Sequence, residues 1–175
     1  MCLLLENQAA VNSTDYQGQT PLHFAAMHGC GGVARLLLEH KADVNAKHVY
    51  EGTPLHAAAE KGHDAVVRLL LEHKANVDSK TVYGGTALHW AAEAGHTAVV
   101  QRLLENKADV NAKYHDSRSA LHMAAENGHD VVVELLMEHE ADANAVDNCG
   151  LTALQRAAAK GHESVVRLLE SRYIH

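Results

Sequence analysis

Aromatic side chains are scarce: they make up 4% of the 175 residues, with one Trp and one Phe. Sandwich and barrel cores lean on large rings, so this scarcity argues against both. A surplus of positive charge is also missing. The formal charge is −7, which excludes a general nucleic-acid binder, since that needs a basic stripe to neutralise phosphates. The same sign disfavours docking on anionic membranes. Cysteine is sparse and odd in number (Cys2, Cys30 and Cys149), and the spacings fit no metal pattern. No disulfide framework is expected, which points to a reducing compartment. No stretch approaches the ~20 apolar residues of a membrane span. The opening Met1-Cys2-Leu3-Leu4-Leu5-Glu6 lacks the basic region of a signal peptide. A cytoplasmic or nuclear protein is expected.

What the chain does have is a hydrophobic share of 47%, carried mainly by Ala, Leu and Val. Small aliphatic residues suit closely packed short helices. Thr20-Pro21-Leu22-His23 returns as Thr53-Pro54-Leu55-His56, Thr86-Ala87-Leu88-His89, Ser119-Ala120-Leu121-His122 and Thr152-Ala153-Leu154-Gln155. Each step is 33 residues, without insertion. Alanine pairs at Ala25-Ala26 through Ala157-Ala158, glycines from Gly29 to Gly161 and leucines from Leu37 to Leu169 keep the same step. Such a period marks a solenoid of two-helix units.

Within one unit, Thr20 suits an N-cap and Pro21 the first helical position, whose amide needs no partner. A short helix over residues 21–28 should end at Gly29, because glycine adopts the left-handed conformation without steric cost. A second helix is expected over residues 32–40, with Val33, Leu36 and Leu37 at helical spacing. Ala42-Asp43-Val44-Asn45-Ala46 and the residues up to Thr53 should form an extended turn or hairpin. Helices this short do not survive alone in water, so stability should come from stacking on neighbours.

The pattern Gly18-x-Thr20-Pro21-Leu22-His23-x-Ala25-Ala26, with Gly62-His63, Val66-Val67 and Ala42-Asp43-Val44-Asn45-Ala46, resembles the ankyrin repeat. The resemblance implies an all-α solenoid of stacked helix-turn-helix units linked by β-turn or hairpin tips. It places a partial unit at residues 1–14 and further units starting near 15, 48, 81, 114 and 147, the last one truncated. It further implies an L-shaped stack whose concave face, made of tips and first helices, binds proteins. It also raises hydroxylation of Asn45 and Asn111. Lys41, Lys74, Lys107 and Glu140 stand where ankyrin units usually carry glycine; each costs about 1 kcal/mol if the site is left-handed. The chain opens inside a second helix, at Leu3-Leu4-Leu5, so a fragment of a longer protein is expected.

Fifteen histidines look like a metal or acid–base site until they are placed on the period. His23, His56, His89 and His122 form one column. His63, His96, His129 and His162 follow the repeat glycines, and His40, His73 and His139 close second helices. The first column should hydrogen-bond to backbone and tie one turn to the next. Zinc needs three or four converging ligands, and units stacked at roughly 10 Å keep such columns apart. Histidine titration should still weaken the fold below about pH 6. No nucleophile elbow surrounds the serines, and Gly31-Gly32 and Gly84-Gly85 lack a phosphate-loop pattern. The exposed tip thiol of Cys149 has no cation column to activate it. Neither catalysis, cofactor nor metal is expected.

The expectation is therefore a non-enzymatic module for another protein, with no nucleic acid, membrane or small-molecule substrate, and a monomer. The alternative is a regulatory or targeting segment of a larger multidomain enzyme or immune-type receptor. Partner-binding residues are those that project from tips or from the exposed columns of first helices. On the tips these are Tyr16, Gln17, Val49, Tyr50, Val82, Tyr83, His115, Asp116 and Arg118. On the helices they are Met27, His28, Glu60, Lys61, Trp90, Glu93, Glu126 and Asn127. Tyr50, Tyr83 and Arg118 are the foremost anchors, as Tyr and Arg commonly are at interfaces. Trp90 either contacts the partner or fills space between units.

Overall fold

A computed structural model describes residues 11–172. Their helices come in pairs: α1 Pro21–Met27 and α2 Gly31–Glu39, α3 Pro54–Glu60 and α4 Asp64–Glu72, α5 Ala87–Glu93 and α6 Thr97–Glu105, α7 Ala120–Glu126 and α8 Asp130–Glu138, α9 Ala153–Lys160 and α10 Glu163–Arg172. Among the described residues no strand forms, so the fold is all-helical. Tips link the pairs as turns, not hairpin ladders. The half unit read at Leu3-Leu4-Leu5, together with Cys2 and Tyr173-Ile174-His175, lies outside the described residues.

Within a unit the two helices pack on each other. Each first helix also packs on the next first helix, and each second helix on the next second helix. The alanine pairs explain the close first-helix approach: Ala26, Ala59, Ala92 and Ala125 are wholly buried. Leu22, Leu55, Leu88 and Leu121 meet Leu70, Leu103, Leu136 and Leu169 in one continuous core. Full burial of each leucine contributes roughly 2 kcal/mol, and this is what holds helices too short to persist alone.

Polar stitching adds to it. His23 Nδ1 accepts the Thr20 amide at 3.1 Å, so Nε2 carries the proton and donates to the Gly52 carbonyl at 3.1 Å. His56 reaches Gly85 and His122 reaches Leu151 in the same way. These histidines reach forward to the following unit. The histidines after the glycines reach backward: His63, His96, His129 and His162 bond the carbonyls of Met27, Glu60, Glu93 and Glu126. The histidines that close second helices, His40, His73 and His139, donate from Nδ1 to carbonyls four residues earlier.

Two sequence expectations gain detail. Thr20 caps its helix in a reciprocal box with His23: its side chain faces the His23 amide while the His23 ring accepts the Thr20 amide, and its hydroxyl also lies 2.9 Å from His23 Nδ1. Thr53, Thr86 and Ser119 repeat the box, and Thr152 pairs with Gln155 in place of histidine, its hydroxyl accepting the Gln155 amide at 3.3 Å. The left-handed sites are more numerous than the four foreseen. Lys41, Lys74, Lys107 and Glu140 have φ of 63–68°, and Glu51 and Ser117 on the tips join them at 63°.

A repeat glycine answers two demands. Gly95 has φ +75°, and a Cβ there would meet the His129 ring at 2.6 Å. The backward-reaching histidine therefore needs a bare backbone beneath it.

Candidate functional site

The tips form a row along one edge. A backbone hydrogen bond joins each to the previous one: Val49 N to Gln17 O at 2.9 Å, Val82 N to Tyr50 O at 3.1 Å, His115 N to Tyr83 O at 2.8 Å and Asn148 N to Asp116 O at 2.9 Å. The tips are thereby fixed relative to one another while their side chains face outward. Tyr16 is 91% exposed, and Val49, Tyr50, Val82 and Tyr83 are each more than half exposed. Gln17 and His115 are exposed as well, whereas Asp116 and Arg118 are half-buried. On the first helices His28, Glu60, Lys61, Glu93 and Asn127 are exposed, and Met27, Trp90 and Glu126 are half-buried.

Tips and first helices enclose a hollow of about 300 Å³, and Met27, Tyr50, Glu60, Tyr83 and Trp90 all line it. Two further residues, His48 and Tyr114, line it without having been singled out. Their signal lay in the first tip column, which reads Asp15, His48, Thr81, Tyr114, Asp147. In the ordinary tips the aspartate closes the turn: Asp15 Oδ1 accepts the Gln17 and Gln19 amides at 2.9 and 2.8 Å. His48 Nδ1 accepts one amide, that of Tyr50, at 3.2 Å. Tyr114 has no acceptor placed to close its turn, and its ring lies against Trp90 with centroids 5.8 Å apart and planes at 77°.

A second column shapes the hollow. The residue before each capping threonine or serine is Gln19, then Gly52, then Gly85, then Arg118, then Leu151, and the bare backbone at the two glycines lets rings settle against it. The His48 ring packs against Gly52, and a Cβ at Gly85 would meet Tyr114 at 3.1 Å and Trp90 at 3.2 Å. Trp90 thus covers the backbone of its own unit and touches the next, so it both fills space between units and faces the opening.

Burial keeps the histidines of this region neutral. It lowers the pKa of His23 and lowers His56 and His89 to about 4, against partial compensation from backbone carbonyls, and it lowers that of His48 against the charge of Asp15. His89 faces the Arg118 carbonyl, the equivalent by register of Gly52 and Gly85, which offsets part of the effect of burial, yet its buried Nε2 does not close a hydrogen bond of normal geometry.

Further along, the same face is built differently. Arg118 bonds Asp116 at 2.7 Å and Glu126 at 3.0 Å. Arg156 binds Asp147, whose side chain is 1% exposed, and lies 3.7 Å from Glu126, with Lys160 at 3.8 Å from the same carboxylate. Burial alone would raise the Asp147 pKa. The Leu151 and Cys149 amides and the Arg156 guanidinium outweigh it and hold the carboxyl below its usual range. Asn45 and Asn111 sit off this face: their side-chain oxygens accept the amides of Asn76 and Asp142 in the following units. No cluster of metal-ligating side chains occurs among the described residues, and no helix there is long and apolar enough to cross a membrane.

A family model described as ankyrin repeats matches in three copies, over residues 1–48, 47–114 and 113–174. Each copy spans more than one 33-residue unit, hence three matches for five capping motifs. No curated protein matches the chain.

Proposed function

Since the chain belongs to the ankyrin-repeat family, whose members generally act as protein–protein interaction modules, we propose that it is a non-catalytic module holding a partner protein on the face made by its tips and first helices. The observation that carries this reading is the row of exposed apolar side chains, Tyr16, Val49, Tyr50, Val82 and Tyr83, on tips whose backbones are tied together. Exposed aromatic residues on a fixed scaffold lose little conformational entropy on binding, and Tyr is enriched at interface centres.

Trp90, Met27, Glu60 and Glu93 extend the surface onto the first helices. His28, Lys61, Glu126 and Asn127 form its rim, with Gln17, His115, Asp116 and Arg118 along the tip edge. The Arg118 guanidinium is already paired with two carboxylates, so it supports the face more than it anchors a partner.

The test is capture from host lysate with identification by mass spectrometry, comparing the parent with Tyr50→Ala/Tyr83→Ala at matched melting temperature. A protein retained by the parent and lost by the variant supports the reading. Equal retention by both moves the site off this face and overturns it.

A further inference from the structure

We propose that the hollow spanning the first to the fourth units is a receptor for one cationic side chain, a lysine or arginine, of the bound protein. This rests on the reading that the face binds a protein, and it names the chemistry at its centre.

Shape and wall chemistry come first. Trp90 and Tyr114 meet edge to face at 77°, as do His48 and Tyr50 at 79°, with ring centroids 6.0 Å apart. Gly52 and Gly85 give the His48, Tyr114 and Trp90 rings a bare backbone to lie against, and where two rings of a wall stand perpendicular, one offers a π-face where the other offers an edge. Aromatic faces carry the negative end of the ring quadrupole and attract an ammonium or guanidinium placed within about 6 Å. An uncharged apolar side chain would fit the same walls, so charge decides between the two.

Among the described residues Glu60 is the only Asp, Glu, Lys or Arg that lines the hollow. Its one cationic contact is Lys61, the next residue in the chain, in a pair whose side chains are both about half exposed. Exposed pairs of this kind hold weakly and yield readily. Glu93 stands one unit on, exposed, at the end of the helix that carries Trp90. The lining histidines His23, His48 and His56 are neutral at physiological pH because burial disfavours their charged form, so the walls themselves carry no positive charge, and Lys61 is the cation an incoming one displaces. A formal charge of −7 on the chain attracts basic partners from a distance. Further along the face the opposite holds, since Arg118 and Arg156 occupy the carboxylates themselves.

Trp90 is the only tryptophan, so its emission reports on the cavity directly. The full chain is titrated at constant ionic strength with choline and with its uncharged isostere 3,3-dimethyl-1-butanol. Saturable quenching by choline is expected, with the isostere about tenfold weaker, the scale of a partly desolvated cation–π contact. Glu60→Gln should weaken choline about threefold and leave the isostere unchanged; Glu134→Gln, on an exposed helix face of another unit, should change neither. The order among n-butylammonium, butyltrimethylammonium and n-butylguanidinium then tells lysine, methylated lysine and arginine apart. Equal binding of choline and the isostere would make the hollow an apolar pocket and overturn the proposal. So would an unaltered response in Glu60→Gln, or no saturable change. A partner captured by the parent and insensitive to excess choline would sink the cation receptor and leave the protein-binding reading intact. Choline binding without any selective capture would do the reverse.

Discussion

The second and third units and the fourth and fifth units use the same scaffold positions to opposite ends. The column before the cap is Gly52 and Gly85 in one pair, Arg118 and Leu151 in the other. The first-helix column is Ala57 and Trp90, then Met123 and Arg156. One pair is left open, with Glu60 and Glu93 facing solvent. The other closes on itself, Arg118, Arg156 and Lys160 converging on Glu126 beside Asp116 and Asp147. The difference teaches that a strict repeat fixes where side chains point and leaves their bonding free. A charged residue on the face of tips and first helices is free for an outside contact only where its own neighbours do not neutralise it.

The largest effect should come from the closed pair. Asp147→Ala strands a half-buried guanidinium and two amides, and should lower stability by about 3 kcal/mol in urea unfolding. Glu60→Gln, in the open pair, should stay within about 0.5 kcal/mol. Similar losses in both would erase the distinction.

Acid separates the regions next. His56 and His89 have folded pKa values of about 4 against 6.5 when unfolded. Their folded values are depressed, so protonation favours the unfolded chain. Stability is full above pH 6.5 and falls as pH drops toward 4. Each should contribute roughly 1 kcal/mol of loss by pH 5.5, for a melting point several degrees lower than at pH 7.5. Asp116 and Asp147 are held below the ordinary carboxylate value, Asp116 by Arg118 and Asp147 by two amides and Arg156 against the opposing pull of burial. The closed pair should therefore keep its charges through that window and lose them only in stronger acid. A melting temperature independent of pH between 7.5 and 5.5 would refute the histidine account.

A smaller effect should be common to both regions. Glu51→Gly and Ser117→Gly each relieve a non-glycine residue at φ 63°, and each should stabilise by about 1 kcal/mol, read from the denaturation midpoint. Unequal gains would mean that the two tips are not built alike. Smallest of all, Tyr50→Ala/Tyr83→Ala should shift stability by no more than about 0.5 kcal/mol in the same assay, since both rings are more than half exposed.

The period made the fold legible. Thr20-Pro21-Leu22-His23 and its copies fixed the helix starts, Gly29 and its copies the first-helix ends, and the histidine columns their backbone role. The direction of reach, forward for His23 and backward for His63, could not be read, because spacing along the chain does not say which neighbour a ring faces. At the site, Met27, Tyr50, Glu60, Tyr83 and Trp90 were reachable as residues that break the period on exposed columns. His48 and Tyr114 were not, since the first tip position ordinarily holds a turn-closing aspartate and only the fold shows an aromatic there swinging into the hollow. The neutralisation of Arg118 needed coordinates too: one of its partners, Glu126, belongs to the following helix.

The two opposed histidine columns give the stack a direction. The junctions made by His23, His56 and His122 each take a donor from the earlier unit and a different donor from the later one, so their two faces are unlike. Two equal faces brought together would duplicate one set of donors and omit the other. A junction of this kind joins unlike faces, head to tail along the stack, and two like faces have no such set of bonds to share.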